Sequence, residues 1–165
     1  MKTLIFLRHA KSDWTDRTLK DFDRELNDRG VRVAPKMGGK LKEMGVKPDM
    51  VYASPAKRTT QTAELLLERM DYDLEDVDFI EDIYEASARS LMNLVNDIDD
   101  HLGTVMFIGH NPSITYLSEY LIGEALGDVP TCSAVSIKFD IQEWKMISQG
   151  LGSLDFYVYP KQFDF

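Results

Sequence analysis

The chain has 165 residues, a size that fits one domain with a substantial core, and its 44% hydrophobic and 28% charged residues are ordinary for a globular protein. Its net charge of −9 opposes general nucleic-acid binding, which leans on a positive field to neutralise phosphates. No apolar run approaches a membrane span, and the single cysteine, Cys132, excludes an internal disulfide and suits a reducing compartment, read as cytoplasmic.

In chain order, strand and helix patterns alternate. Thr3–Leu7 reads as a buried strand, and its apolar run Leu4-Ile5-Phe6-Leu7 stops directly at Arg8-His9. Arg8 cuts that run short and no small-residue cleavage site follows, so it is a strand rather than a leader. Val31, Ala34, Met37, Leu41 and Met44 then recur at helical spacing, with Pro35 predicting a kink or a late start. Met50–Ala53 is a short strand, followed by a helix carrying Ala63, Leu66, Leu67 and Met70 on one face. Val77–Ile80 is a weaker strand in an acidic stretch. Leu91, Leu94, Val95, Ile98 and Leu102 mark a helix capped by Ser87.

Thr104–Ile108 is a second strongly buried strand. Asn111-Pro112 supplies a helix N-cap with proline at the first helical position, opening a helix through Ile114, Leu117 and Leu121. Ala134–Asp140 and Leu154, Phe156, Val158 alternate apolar and polar residues, a pattern for strands covered on one face, as at an antiparallel edge. No linker or repeat interrupts residues 1–165, so one mixed α/β layered domain is expected.

Four junctions that precede helices carry chemistry. They are Arg8-His9-Ala10-Lys11-Ser12, Ser54-Pro55-Ala56-Lys57-Arg58-Thr59, Ile83-Tyr84-Glu85-Ala86 and Gly109-His110-Asn111-Pro112. In open α/β sheets ligands bind beyond the carboxyl ends of strands, so the fold would gather two histidines and two arginines there. Phosphoryl transfer asks for such a set, because charge spreads over three equatorial oxygens and must be held electrostatically. Arg8 and Arg58 can fork onto those oxygens, a neutral His9 can attack phosphorus, and a protonated His110 would add a third donor. In an acidic chain this positive charge must be local; Lys11, Arg24 and Arg29 are further sources.

These junctions, with Gln61-Thr62-Ala63, Asp23-Arg24-Glu25-Leu26-Asn27-Asp28-Arg29-Gly30, Pro130-Thr131 and Pro160-Lys161, resemble the histidine phosphatase superfamily, in its short SixA-like phosphohistidine phosphatase branch. The resemblance runs from residue 4 to about 161. It implies an α/β fold of three layers, α/β/α, with a mostly parallel central sheet and an antiparallel strand near the C-terminus. It makes His9 the nucleophile and places Arg8, Arg58 and His110 around the phosphate, with no metal and no cofactor. Lys11, Ser12 and Arg24 are candidates for the pocket rim.

Glu85 has two readings. Many superfamily members carry a glutamate general acid in the corresponding region, and Ile83-Tyr84-Glu85 resembles it; otherwise it is an exposed glutamate before a helix. Ser54 and Thr59 can bond phosphate or merely local backbone, and Trp14 and Trp144 are assigned no chemistry. The expected partner is a phosphorylated protein such as a histidine phosphotransfer domain. The alternatives are a small phosphomonoester, with Glu85 as acid, and a non-catalytic phosphoprotein-binding module. No nucleic-acid or membrane partner is expected.

Overall fold

A computed structural model describes residues 1–165. Six strands form one sheet: β1 (Lys2–Arg8), β2 (Met50–Ala53), β3 (Val77–Phe79), β4 (Thr104–Gly109), β5 (Ala134–Phe139) and β6 (Ser153–Val158). Their order is β3-β2-β4-β1-β5-β6. The pairs from β3 to β1 are parallel, while β5 runs antiparallel to both β1 and β6. Four helices cover the sheet: α1 (Asp28–Glu43), α2 (Lys57–Arg69), α3 (Ala88–Asn96) and α4 (Ser113–Ile122). No helix is long and apolar enough to cross a membrane.

The two-residue period of the strands builds the layers. Ile5, Leu7, Met106 and Ile108 pack against Val33, Met37 and Leu41 of α1 and Leu66 and Leu67 of α2. Leu4, Phe6, Val105 and Phe107 point to the other face, against Leu91 and Val95 of α3 and Ile114, Leu117 and Leu121 of α4. Strands buried on both faces read as continuous apolar runs, as β1 and β4 do. Each such Leu, Ile or Phe contributes about 1.5–3 kcal/mol by leaving water.

The structure corrects several boundaries. Helix α1 begins early, at Asp28, capped by Asn27 accepting from the Gly30 amide at 2.9 Å, and runs through Pro35. Its buried stripe is Val33, Ala34, Met37, Gly38 and Leu41, with Val31 and Met44 exposed. Helix α3 has the expected Ser87 cap, which accepts from Ser90, but it stops at Asn96. There the Asp99 carboxylate accepts from the His101 amide at 3.0 Å, and a turn replaces further helix. Ile98 is still buried beyond that end.

Helix α4 starts at Ser113, with Pro112 at the cap rather than at the first helical position. The Asn111 side chain reaches past it to accept from the Thr115 amide at 3.2 Å and hydroxyl at 2.9 Å. Strand β5 is internal rather than an edge, because it pairs with β1 on one side and β6 on the other, and its polar Ser136 is buried with the hydroxyl donating to Asp155 at 3.1 Å. Strand β6 is the edge.

Close contact between α1 and α2 depends on Gly38, where a Cβ would lie 2.2 Å from the Leu66 carbonyl oxygen. Backbone on both sides leaves nothing flexible to give way. Gly38→Ala is therefore expected to cost about 1–3 kcal/mol, read as a lower urea midpoint with an unchanged slope. Wild-type stability in that variant would contradict the packing described.

Candidate active site

The register of the central strands assembles the site. Arg8 on β1 pairs with Gly109 on β4, so the next residues, His9 and His110, leave the sheet side by side with ring centroids 5.3 Å apart. The His9 amide holds the junction by donating to the Gly109 carbonyl at 3.1 Å. Strand β2, on the other side of β4, ends in Ala53 and passes through Ser54 into α2, whose second residue is Arg58. A pocket of about 280 Å³ opens there, lined by Arg8, His9, Ser12, Arg58 and His110, with Lys11, Arg24 and Thr131 also on its wall.

Hydrogen bonds fix each side chain. The His9 Nδ1 lies 2.7 Å from the Ala10 carbonyl, which can only accept, so Nδ1 carries the proton and Nε2 holds a free lone pair. Arg8 Nη1 donates to the Val129 carbonyl at 2.9 Å, and the Asn111 side-chain amide donates to the same oxygen at 2.9 Å. His110 Nε2 lies 2.8 Å from the Ser54 hydroxyl, which also accepts from the Ala56 amide at 3.2 Å. Arg8 Nε, Arg58 Nε and His110 Nδ1 are buried without a protein partner. Buried polar atoms are rarely left so, and all three belong to residues that line this pocket.

The family model for the histidine phosphatase superfamily (branch 1) matches residues 4–93, which contain Arg8, His9 and Arg58. The chain belongs to the histidine phosphatase superfamily. It is similar to an uncharacterised chloroplastic protein of Arabidopsis thaliana, 30% identical over 152 residues that cover 87% of this chain and 69% of that one. A SixA protein of Agrobacterium tumefaciens, assigned as a phosphohistidine phosphatase, superposes with a TM-score of 0.83 at 25% identity, over 96% of this chain and 98% of that one. The protein histidine phosphatase SixA in complex with tungstate shares the fold, with a TM-score of 0.78 at 21% identity over 97% and 98% of the two chains. The fold is thus the SixA-like form of the superfamily.

Burial sets the protonation states of this histidine phosphatase-like site. His9 is driven down to about 3, mainly by burial, with His110, Arg58 and Arg8 adding to it against the Ala10 hydrogen bond. His110 falls to about 4, through burial and then Arg58. Both imidazoles are therefore neutral near pH 7 in the free protein. His110 would add a third cationic donor only if a bound dianion pulled its pKa back up.

Among the expected rim residues, Ser12 and Arg24 meet each other, Arg24 Nη1 donating to the Ser12 hydroxyl at 2.8 Å. Arg24 also stacks 3.4 Å from the centre of the exposed Trp14 ring. Lys11 stands exposed on the pocket wall. Thr59 belongs to the local backbone, donating to the Ser54 and Ala56 carbonyls at 2.7 Å.

Glu85 is not brought to the pocket. It is exposed, in the left-handed region at φ 59°, and lines a separate surface hollow. Its neighbour Tyr84 turns in instead, with its ring edge-on to His110 at 5.6 Å. The Tyr84 hydroxyl donates at 2.6 Å to Asp21, a residue the sequence reading passed over. Asp21 also accepts from Arg58 at 3.1 Å and from Arg24 at 3.0 and 3.1 Å. Burial raises its carboxyl, but hydrogen bonds from Tyr84, Arg58 and Arg24 outweigh that and hold it at about 2. Only its spacing of three from Arg24 could have signalled it, and that is weak among 28 acidic residues.

Depressed folded-state pKa values make these histidines acid-sensitive. Unfolded, each ring takes a proton near 6.5; folded, it resists until about 4 or 3, so stability is lost as pH falls below about 6.5. Urea titrations from pH 7 to 5 should show stability falling by up to about 1.4 kcal/mol per pH unit for each ring. His9→Asn should flatten that slope; an unchanged slope would mean that His9 does not resist protonation.

Proposed function

We propose that the chain is a phosphatase that passes phosphate through His9, with protein phosphohistidine as its substrate. We also read residues 1–165 as one catalytic domain. The lone buried Cys132 suits a reducing compartment such as the cytoplasm. The observation that carries the substrate reading is the lack of a poised acid: Glu85 faces away, and the pocket's one carboxylate, Asp21, is held ionised at about 2.

The geometry supports the following step. The Nε2 lone pair of neutral His9 attacks phosphorus in line, and the bond from phosphorus to the substrate ring nitrogen breaks. Positive charge develops on the His9 ring as Nε2 is phosphorylated, and the Ala10 carbonyl facing Nδ1–H stabilises it. Arg8 and Arg58 hold the equatorial oxygens, needing no metal ion for that task, and His110 sits on the same wall. Water then attacks phosphorus, the Nε2–P bond breaks, its electron pair returns to Nε2, and the water's proton passes to solvent.

Leaving-group chemistry decides between substrates. An alkoxide departs poorly unless a general acid protonates it. Phosphohistidine can take a proton from solvent near neutrality on the ring nitrogen away from phosphorus, as imidazole does with a pKa of about 6.5, and it then leaves as neutral imidazole without a general acid from the protein. A site without a working acid therefore favours phosphohistidine over an alkyl ester.

Phosphate release from a phosphohistidine protein should be fast, with release from an alkyl phosphate lower by about 10²-fold or more, the scale of a missing general acid. His9→Ala should abolish both and leave no acid-labile phosphoenzyme, while Glu85→Gln should stay within about twofold of wild type, as expected of an exposed substitution. Full activity in His9→Ala would end the covalent reading. A large loss on the ester in Glu85→Gln would restore Glu85 as acid.

A further inference from the structure

A second cavity, of about 220 Å³, adjoins the catalytic pocket and shares Lys11 and Thr131 with it. Its charged groups are Lys11, Arg29 and Lys161, and no aspartate or glutamate lines it. None of the three cations is within 4.0 Å of an aspartate or glutamate side chain; Arg29 donates to the main-chain oxygen of Phe165, the last residue, at 3.5 Å. This local balance is the reverse of the whole chain's, which has 28 acidic and 19 basic residues. The remaining wall is largely apolar or aromatic, including Val33, Tyr159 and Pro160.

Rigid backbone sets the position of these cations. The Asn27 amide donates to the Lys11 carbonyl at 3.0 Å, and Gly30 packs so tightly there that a Cβ would lie 2.2 Å from the same oxygen. The start of α1, carrying Arg29, is thereby locked to the loop carrying Lys11. Lys161 comes from the 3-10 turn Pro160–Phe163, tied down by the Tyr159 amide donating to Gln162 at 3.0 Å. The volume holds several water-sized groups of about 30 Å³ each, enough for a carboxylate on a short stem.

We propose that this cavity is a second anion subsite, which takes the carboxylate of an aspartate or glutamate flanking the phosphohistidine of the substrate protein. The assignment rests on the phosphatase reading above. Phosphate in the first pocket and carboxylate in the second would be bridged by Lys11, which faces both. Substrate choice then comes from paired anions on one basic face, and the acidic remainder of the surface repels off-register docking.

The test uses two phosphohistidine peptides that differ only in glutamate or glutamine beside the histidine, and phosphoramidate, which has no side group. The wild type should favour the glutamate peptide by about three- to tenfold in kcat/KM, carried by KM, as two partly exposed ion pairs allow. Arg29→Gln with Lys161→Gln should erase that preference and leave phosphoramidate turnover unchanged. Added salt should weaken it. Equal turnover of the two peptides by wild type overturns the subsite, as does a double variant that keeps the preference or loses phosphoramidate turnover as well. If wild type turns over none of these, the phosphatase reading fails separately, and calorimetric Kd values of the same peptides for His9→Ala still decide the subsite.

Discussion

Parallel pairing of β1 with β4, with Arg8 level with Gly109, is the constraint on which the site depends. Both strands are buried on both faces, so a slip of one residue would turn Ile5 and Leu7 into the layer built for Leu4 and Phe6. The core therefore fixes the register, and the register fixes the distance between His9 and His110. The same sheet places β2 beside β4, which brings Arg58 in from α2. Antiparallel β5 completes the frame on the other side of β1, and the segment before it supplies Thr131 and the Val129 carbonyl that anchors Arg8.

Burial at the strand ends then decides the chemistry. Taking two imidazoles out of water keeps them neutral, which gives His9 a free lone pair. Arginine cannot escape its charge in the same way and needs partners. Asp21 supplies them, accepting from Arg58 and Arg24 and from Tyr84. The cost of burying guanidinium groups is offset by this carboxylate, whose ionisation is assured by the same contacts. Electrostatic preorganisation of this kind holds the Arg8 and Arg58 guanidinium groups on the pocket wall before an anion arrives.

A protein of net charge −9 must segregate charge to bind anions at all. Six basic residues, Arg8, Lys11, Arg24, Arg29, Arg58 and Lys161, line two adjoining cavities, and Asp21 is the one acidic residue among them. Segregation of this order steers anionic partners to one face and away from the rest.

Elements with an unbroken apolar run or a clear helical period were legible from residues alone: β1, β4 and the Ser87-capped start of α3 follow directly from them. Arg8, His9, Arg58 and His110 were legible as a group, because each sits at a strand end or in the helix start that follows one, in a sheet that gathers strand ends. Details that depend on partners far along the chain were not. Ser136 reads as a solvent-facing polar residue until Asp155 is placed beside it, and α1 reads as kinked at Pro35 or starting late until its Asn27 cap and packing against α2 are seen. Glu85 and Tyr84 are adjacent, and only the backbone at φ 59° and the surrounding packing turn one outward and the other toward Asp21, 63 positions away in sequence. The sequence by itself determined which chemical groups stand at the strand ends, since local hydrophobic pattern sets where strands stop. Tertiary structure alone decided their protonation, the role of Asp21 and the joining of Lys11, Arg29 and Lys161, because burial and long-range contact have no signature in local order.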